Sequence, residues 1–237
     1  MKQISISIVL FFSMFACIPA QYADKDFSIS INYNYTTTAK VYTNPNSSDI
    51  NLRNRSMPLE DLFSPSIDIR YKISESLILG LNSELIEKTG INEIVVQTNS
   101  GNREVPVTEG FSVIPLELSI HYLVPFSTEA FKFLLAGGVA YYYGEHIRTL
   151  GDQDVSNVHR DFAYGIQVGL SSDYLITNFL SVRGEMKFRD PEFELTSRYN
   201  KESVIYNDQR VWFARNEFDS KVNIDGVTFT IGIAFHF

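Results

Sequence analysis

The sequence predicts an all-β fold: a single eight-stranded antiparallel up-and-down transmembrane β-barrel with short periplasmic turns and four long extracellular loops. Three observations predict it. Apolar and polar residues alternate with a period of two in eight separate segments, which marks strands with two chemically different faces. The connections between these segments alternate between short and long, as they do in barrels that cross an outer membrane. Beyond the first 20 residues there is no run of about 18 apolar residues, so no helix is available to span a bilayer. Only helices and closed barrels can span one, because unpaired backbone groups cost several kcal/mol each in hydrocarbon.

Each element follows from its own residues. Phe27, Ile29, Ile31, Tyr33 and Tyr35 share one face of the first strand, with Ser28, Ser30, Asn32 and Asn34 on the other. Residues 36–64 are rich in Thr, Asn, Pro and Ser and read as the first long loop. Ile67, Ile69, Tyr71 and Ile73 then alternate with Asp68, Arg70 and Lys72; after Ser74-Glu75-Ser76 come Leu77, Leu79, Leu81 and Leu85 against Asn82 and Glu84. The second loop, residues 86–110, contains a hairpin signal, two short runs flanking Asn99-Ser100-Gly101-Asn102. The strands there run on past the membrane.

Leu116, Leu118, Ile120 and Tyr122 mark the fourth strand, and Phe131, Phe133, Leu135, Val139, Tyr141 and Tyr143 the fifth, joined by a short turn over residues 125–130. Residues 145–160 are polar and form the third loop. Phe162, Tyr164, Ile166, Val168 and Leu170 form the sixth strand, a turn follows over residues 171–178, and Leu180, Val182, Met186 and Phe188 form the seventh. The fourth loop covers residues 189–223. In the closing strand Val227, Phe229, Ile231, Ile233, Phe235 and Phe237 alternate with Thr228, Thr230, Gly232, Ala234 and His236. About 9 to 11 residues is the length a tilted strand needs to cross a bilayer.

The start of the chain reads as a secretory signal peptide over residues 1–20, with a positive start at Lys2, an apolar stretch from Ile4 and a small-residue exit at Ala20. The barrel domain then occupies residues 21–237. Cleavage removes one positive charge and takes the net charge from −8 to −9, since 19 basic residues then face 28 acidic ones. That balance argues against a nucleic-acid partner. Cys17, the only cysteine, lies in the leader, so the mature chain carries no disulfide or thiolate metal site. A lipoprotein reading with Cys17 acylated fits poorly, because Met14 and Phe15 stand where such signals carry Leu and a small residue.

Alternation alone also fits a soluble barrel with its apolar face inside. Three observations lean toward lipid outside: the signal peptide and terminal Phe taken with the loop asymmetry, the charges on the polar register, and the placing of Tyr33, Tyr35, Tyr71, Tyr122, Tyr141, Tyr143, Phe188, Phe235 and Phe237 on the apolar register near strand ends, where interfacial girdles sit. Charges of both signs on the polar register, Asp68, Arg70, Lys72, Glu84, Glu117, Arg183, Glu185 and Lys187, are what a narrow lumen packed with ion pairs needs.

The closing strand, ending on Phe237, resembles that of bacterial outer-membrane barrels. Ile114-Pro115-Leu116-Glu117-Leu118 and Leu135-Ala136-Gly137-Gly138-Val139-Ala140-Tyr141 resemble the small porin-like outer-membrane barrel domains of Gram-negative bacteria, especially Bacteroidetes. The resemblance implies a cell outer-membrane location, outer-membrane lipid around the wall, and barrel-insertion machinery reading the C-terminal strand. It implies fold and place better than activity.

No catalytic, cofactor-binding or metal-binding residue is assigned from the sequence, and no cofactor is expected. His121, His146, His159 and His236 show no paired ligand spacing, and there is no Gly-x-Ser-x-Gly elbow. Ser83 stands on the lipid register, where a lipid-modifying enzyme would need a nucleophile, yet no histidine shares that register nearby. His121 and His236 read as satisfied lumen histidines, and Gly137-Gly138 as a point of close packing or curvature. Glu145, His146, Asp152, Asp154 and His159 in the third loop match no calcium spacing. Tyr199, Tyr206, Trp212, Phe213 and Phe218 make the fourth loop unusually aromatic; they could cover the barrel mouth, extend the strands or contact a partner. The expected function is non-enzymatic, a structural or porin-like barrel with a narrow charged lumen. Adhesion or binding of an extracellular ligand through the loops is the alternative, and a lipid-modifying enzyme the least favoured.

Overall fold

The computed structural model describes residues 25–237, and the leader expected over residues 1–20 lies outside them. The chain is an all-β antiparallel up-and-down sheet of fourteen strands, not the eight counted from the sequence. In order these are β1 (Phe27–Tyr42), β2 (Ser56–Lys72), β3 (Leu77–Glu84), β4 (Ile86–Thr98), β5 (Gly101–Leu123), β6 (Phe131–Leu150), β7 (Gln153–Arg160), β8 (Ala163–Thr177), β9 (Leu180–Arg189), β10 (Glu192–Tyr199), β11 (Ser203–Tyr206), β12 (Gln209–Phe213), β13 (Glu217–Asn223) and β14 (Val227–His236). A five-residue helix, α1 (Ile50–Asn54), sits between β1 and β2 with its start capped by Asp49. The four segments read as loops are therefore mostly strand. β4, β7 and β10 to β13 arise in them, and β8 continues through residues 171–177, where a turn was expected.

Pairing follows the expected neighbours at the short-turn end. β1 pairs with β2, β2 with β3, β3 with β5, β5 with β6, β6 with β8, β8 with β9, β9 with β14 and β14 with β1. The register of β1 and β14 sets Ile31 opposite Ile233 and Tyr35 opposite Phe229, so apolar residues meet on one face and Asn34 meets Thr230 on the other. Large apolar side chains on this stretch point outward and are exposed, among them Ile31, Ile67, Leu118, Ile166 and Ile231. Polar ones point inward and are buried. That inversion is the orientation the tyrosines indicated.

The interior is filled in layers. At the short-turn end Ile78, Leu134 and Leu175 form an apolar plug. Above it lies a web of ion pairs, in which the Arg183 guanidinium meets Asp173 at 2.7 and 2.8 Å and Asp68 at 3.1 Å. Arg70 joins Asp68 at 2.9 Å to Glu185 at 2.8 Å, Lys187 meets Glu117, and Arg189 joins Glu84 at 2.7 Å to Glu117 at 3.1 Å. Each charge has a partner, which is the condition for burying ions without a large desolvation penalty. Higher still is a broad apolar layer that includes Leu62, Ile86, Phe111, Tyr142, Phe193 and Ile224.

At Gly138 β5 and β6 leave no room for a side chain: a Cβ there would lie 2.3 Å from the Leu118 carbonyl oxygen, whereas one at Gly137 would meet nothing. Close packing thus holds for one glycine of the pair. Toward the loop end the sheet departs from a simple barrel. β13 takes the place of β14 beside β1, β10 lies between β13 and β7, and β7 hairpins from β6. On the other side β4 pairs along β5, with the turn at Asn99-Ser100 and Gly101 at a φ of 120°. β11 and β12 form a hairpin whose turn residues Asn207 and Asp208 both have positive φ, as a two-residue hairpin loop requires. No recorded pairing joins β4 to β2 among the described residues. A seam is left there.

Candidate functional site

The loop end holds a cavity of about 750 Å³, in the volume range of ligand pockets. It opens along the seam. One side is the β1–β2 connection, from Thr43 through Leu52 to Met57; another is Asn92 to Val95 of β4 with Glu104 of β5; a third comes from β12, β13 and the loop between them. Arg148 and Tyr199 reach it from β6 and β10.

Arg148 belongs to a buried cluster outside the lipid-facing stretches of β5 and β6. Its Nε and Nη2 donate to the Glu109 carboxylate at 2.9 and 2.8 Å, and its Nη1 donates to the Tyr199 hydroxyl at 3.2 Å. His146 Nε2 lies 2.5 Å from the same carboxylate, while Nδ1 is 3.2 Å from the Ser197 hydroxyl. Burial pushes the Glu109 carboxyl upward, but Arg148 and the hydrogen bond from His146 outweigh it and hold the group down at about 2. Burial is also the largest influence on His146 and lowers it, so the ring is neutral, donating through Nε2 and accepting through Nδ1. The Arg148 guanidinium stands 4.1 Å over the Phe218 ring. Tyr199 stacks on Phe213 at 3.6 Å and tilts against Phe218 at 5.2 Å.

The fourth-loop aromatics therefore extend the strands and pack over the barrel mouth: Tyr199, Phe213 and Phe218 meet at the cavity, and Tyr206 packs on the apolar tip with Val96, Val105 and Leu150. Glu109 was missed because nothing in the sequence distinguishes it from a surface carboxylate. Its signal was the inward register of β5, which Glu109 shares with Phe111 and Val113.

The third-loop residues are dispersed. Glu145 pairs with Arg160 at 2.6 Å, Asp154 accepts from Thr149 at 2.6 Å, His159 meets Asp161 at 3.1 Å, and Asp152 faces Lys201 at 3.8 Å. Within the lumen Ser119 and His121 Nε2 are 2.8 Å apart, as are Ser181 and His236 Nε2. His121 Nδ1 has no partner, so that histidine is satisfied on one nitrogen only. Ser119 and His121 line a pocket of only about 20 Å³, and Ser181 and His236 are buried. Ser83 stands on the outward register opposite Ile67 and Leu116, with no histidine on that face beside it.

No family model matches the chain, and no curated protein matches it. Among solved structures it is similar to the crystal structure of the outer membrane protein OprG from Pseudomonas aeruginosa, at 13% identity over 93% of this chain and 99% of that one, with a TM-score of 0.58. Neisserial surface protein A aligns over 89% of this chain and 97% of its own at 14% identity and a TM-score of 0.46. Ail, the attachment invasion locus protein of Yersinia pestis, aligns over 90% and 99% at 9% identity and a TM-score of 0.47. The likeness to OprG shows a shared fold, that of an outer-membrane protein. The Bacteroidetes origin suggested by the sequence resemblance finds no support in these matches.

Proposed function

We propose that this chain is a non-enzymatic, porin-like β-barrel of the Gram-negative outer membrane, crossing it with the eight mutually paired strands β1, β2, β3, β5, β6, β8, β9 and β14. The observation that carries this reading is the inversion along those strands, with apolar side chains exposed and ions paired inside. Such a wall is stable in lipid and unstable in water. The fold shared with OprG supports it. On this reading short turns face the periplasm, the six further strands stand outside the cell, and outer-membrane lipid surrounds the wall. Insertion through β14 belongs to the same proposal.

The lumen is narrow, charged and filled. The ion-pair web and the apolar layers above and below it occupy the lumen, which supports an anchor rather than a wide channel. Binding at the loop end is the second reading, favoured by the cavity. The test is to fractionate membranes and compare gel migration before and after boiling. Recovery in the outer membrane with a heat-dependent shift supports the proposal; recovery as a soluble periplasmic protein removes it.

A further inference from the structure

We infer that the loop-end cavity is a binding site for an uncharged oligosaccharide. The inference rests on the reading above only in that this end faces outside the cell. A sugar offers apolar C–H faces to aromatic rings and a rim of hydroxyls, each both donor and acceptor. A site for it therefore needs rings, donors and acceptors together. The cavity supplies all three: Phe213 and Phe218 line it beside the buried Tyr199, and the Asn44, Asn46 and Asn92 side chains stand around them.

Arg148 is the fixed donor. It is 5% exposed, and three of its five N–H groups are taken by Glu109 and Tyr199. One N–H on each terminal nitrogen remains for a ligand. Because its geometry is locked by Glu109 and Phe218, little further ordering is needed on binding. At the rim Arg55, Arg215, Glu93 and Glu104 line the cavity, and no ion pair or hydrogen bond involving their side chains is recorded among the described residues.

Charge excludes the neighbouring ligand classes. Three arginines line the cavity against four carboxylates, Glu93, Glu104, Glu217 and Asp219, so neither a polyanion nor a cation is matched. The polar lining argues against a purely apolar guest. A peptide strand added across the seam would need the flanking strands about 10 Å apart, twice the usual strand spacing. Yet a Cβ at Gly90 of β4 would already meet Met57 and Leu59 of β2 at 2.8 and 3.2 Å. Those side chains already fill the gap that an added strand would have to enter.

The test titrates the folded full-length protein in detergent with lactose, maltotriose and N,N′-diacetylchitobiose, reading Trp212, the only tryptophan, and saturation-transfer NMR on the sugar. Saturable binding of at least one sugar is expected, weakened about tenfold by Phe213→Ala and measurably by Arg215→Ala, and unchanged by Phe162→Ala on the barrel wall. Arg215 is exposed and unpaired, so its variant reports binding even if Phe213→Ala disturbs packing. Three results each overturn the inference: no saturable sugar binding, palmitate or a decapeptide bound in place of sugar, or sugar binding indifferent to both cavity variants. Folding is verified by the heat-dependent gel shift in the same sample, so a negative titration does not touch the outer-membrane reading.

Discussion

The Glu109 carboxylate lies in both prongs of the Arg148 guanidinium, Nε to Oε2 at 2.9 Å and Nη2 to Oε1 at 2.8 Å, with Glu109 fully buried. This bidentate pair ties β5 to β6 above the lipid belt, and through the Tyr199 hydroxyl it ties both to β10. The strands of the extension thus share one buried, ion-paired anchor.

Removing one partner leaves the other buried and unpaired. Glu109→Ala is expected to destabilise the extension by about 3–5 kcal/mol. Hydrogen exchange should rise in β7, β10 and β13 while the belt strands stay protected. Glu109→Gln should be milder, since the amide oxygen still accepts from Arg148.

The same cluster gives the extension a pH dependence. Glu109 ordinarily titrates at 4.5 and is held at about 2, so its stabilisation is present above 4.5 and is lost as pH falls from there through 2. His146 is also lowered from 6.5, so below that value the unfolded chain takes up a proton that the folded one resists, and stability falls again with acid. Limited proteolysis of the extension should accelerate progressively below pH 6.5. His146→Gln should remove the upper part of that response and leave the lower.

In the lumen Arg183→Ala strands Asp173, whose two oxygens it binds, while Asp68 Oδ2 loses one partner and keeps Arg70. A loss of about 3–5 kcal/mol in urea unfolding from lipid vesicles is expected. The double change Arg183→Met with Asp173→Leu should cost less than the single one, because it removes both charges together.

Gly138 and Gly137 separate close approach from mere smallness. Gly138→Val places a side chain against the Leu118 carbonyl and should lower the heat-modifiable fraction sharply, whereas Gly137→Val points into open space and should fold. Equal behaviour of the two variants would contradict the β5–β6 packing described here.

The belt strands are legible in the sequence because lipid and lumen impose opposite polarity on successive residues. The extension is not, because above the belt the polarity of the inward face reverses. Along β5 the inward positions are His121, Ser119 and Glu117 within the belt, then Val113 and Phe111, then Glu109, Val107 and Val105. In β1 the apolar register stays on odd residues from Ile31 to Val41, yet Ile31 and Tyr33 face out while Ala39 and Val41 face in. The switch occurs at Thr37, opposite β2's Asp61, which holds a φ of 56°. Alternation without a change of phase cannot reveal a change of side. Short strands such as β11 and β12, four and five residues long, carry too little period to be seen at all. Of the cavity, the aromatic residues were visible as a cluster, but their meeting with Arg148 depends on pairings between β10, β7 and β6 that residue spacing does not encode.

The central claim, that apolar side chains of the paired strands face lipid, is tested most directly by nitroxide labels at Ile166 and Gln167, neighbours on β8 that are 76% and 7% exposed. In a Cys17→Ser background reconstituted in vesicles, the account predicts that the Ile166 label collides with dissolved oxygen in the bilayer and is shielded from a water-soluble nickel chelate, while the Gln167 label is immobilised and reached by neither. A label at Ile166 relaxed by the nickel chelate in preference to oxygen would place that face in water and contradict the account.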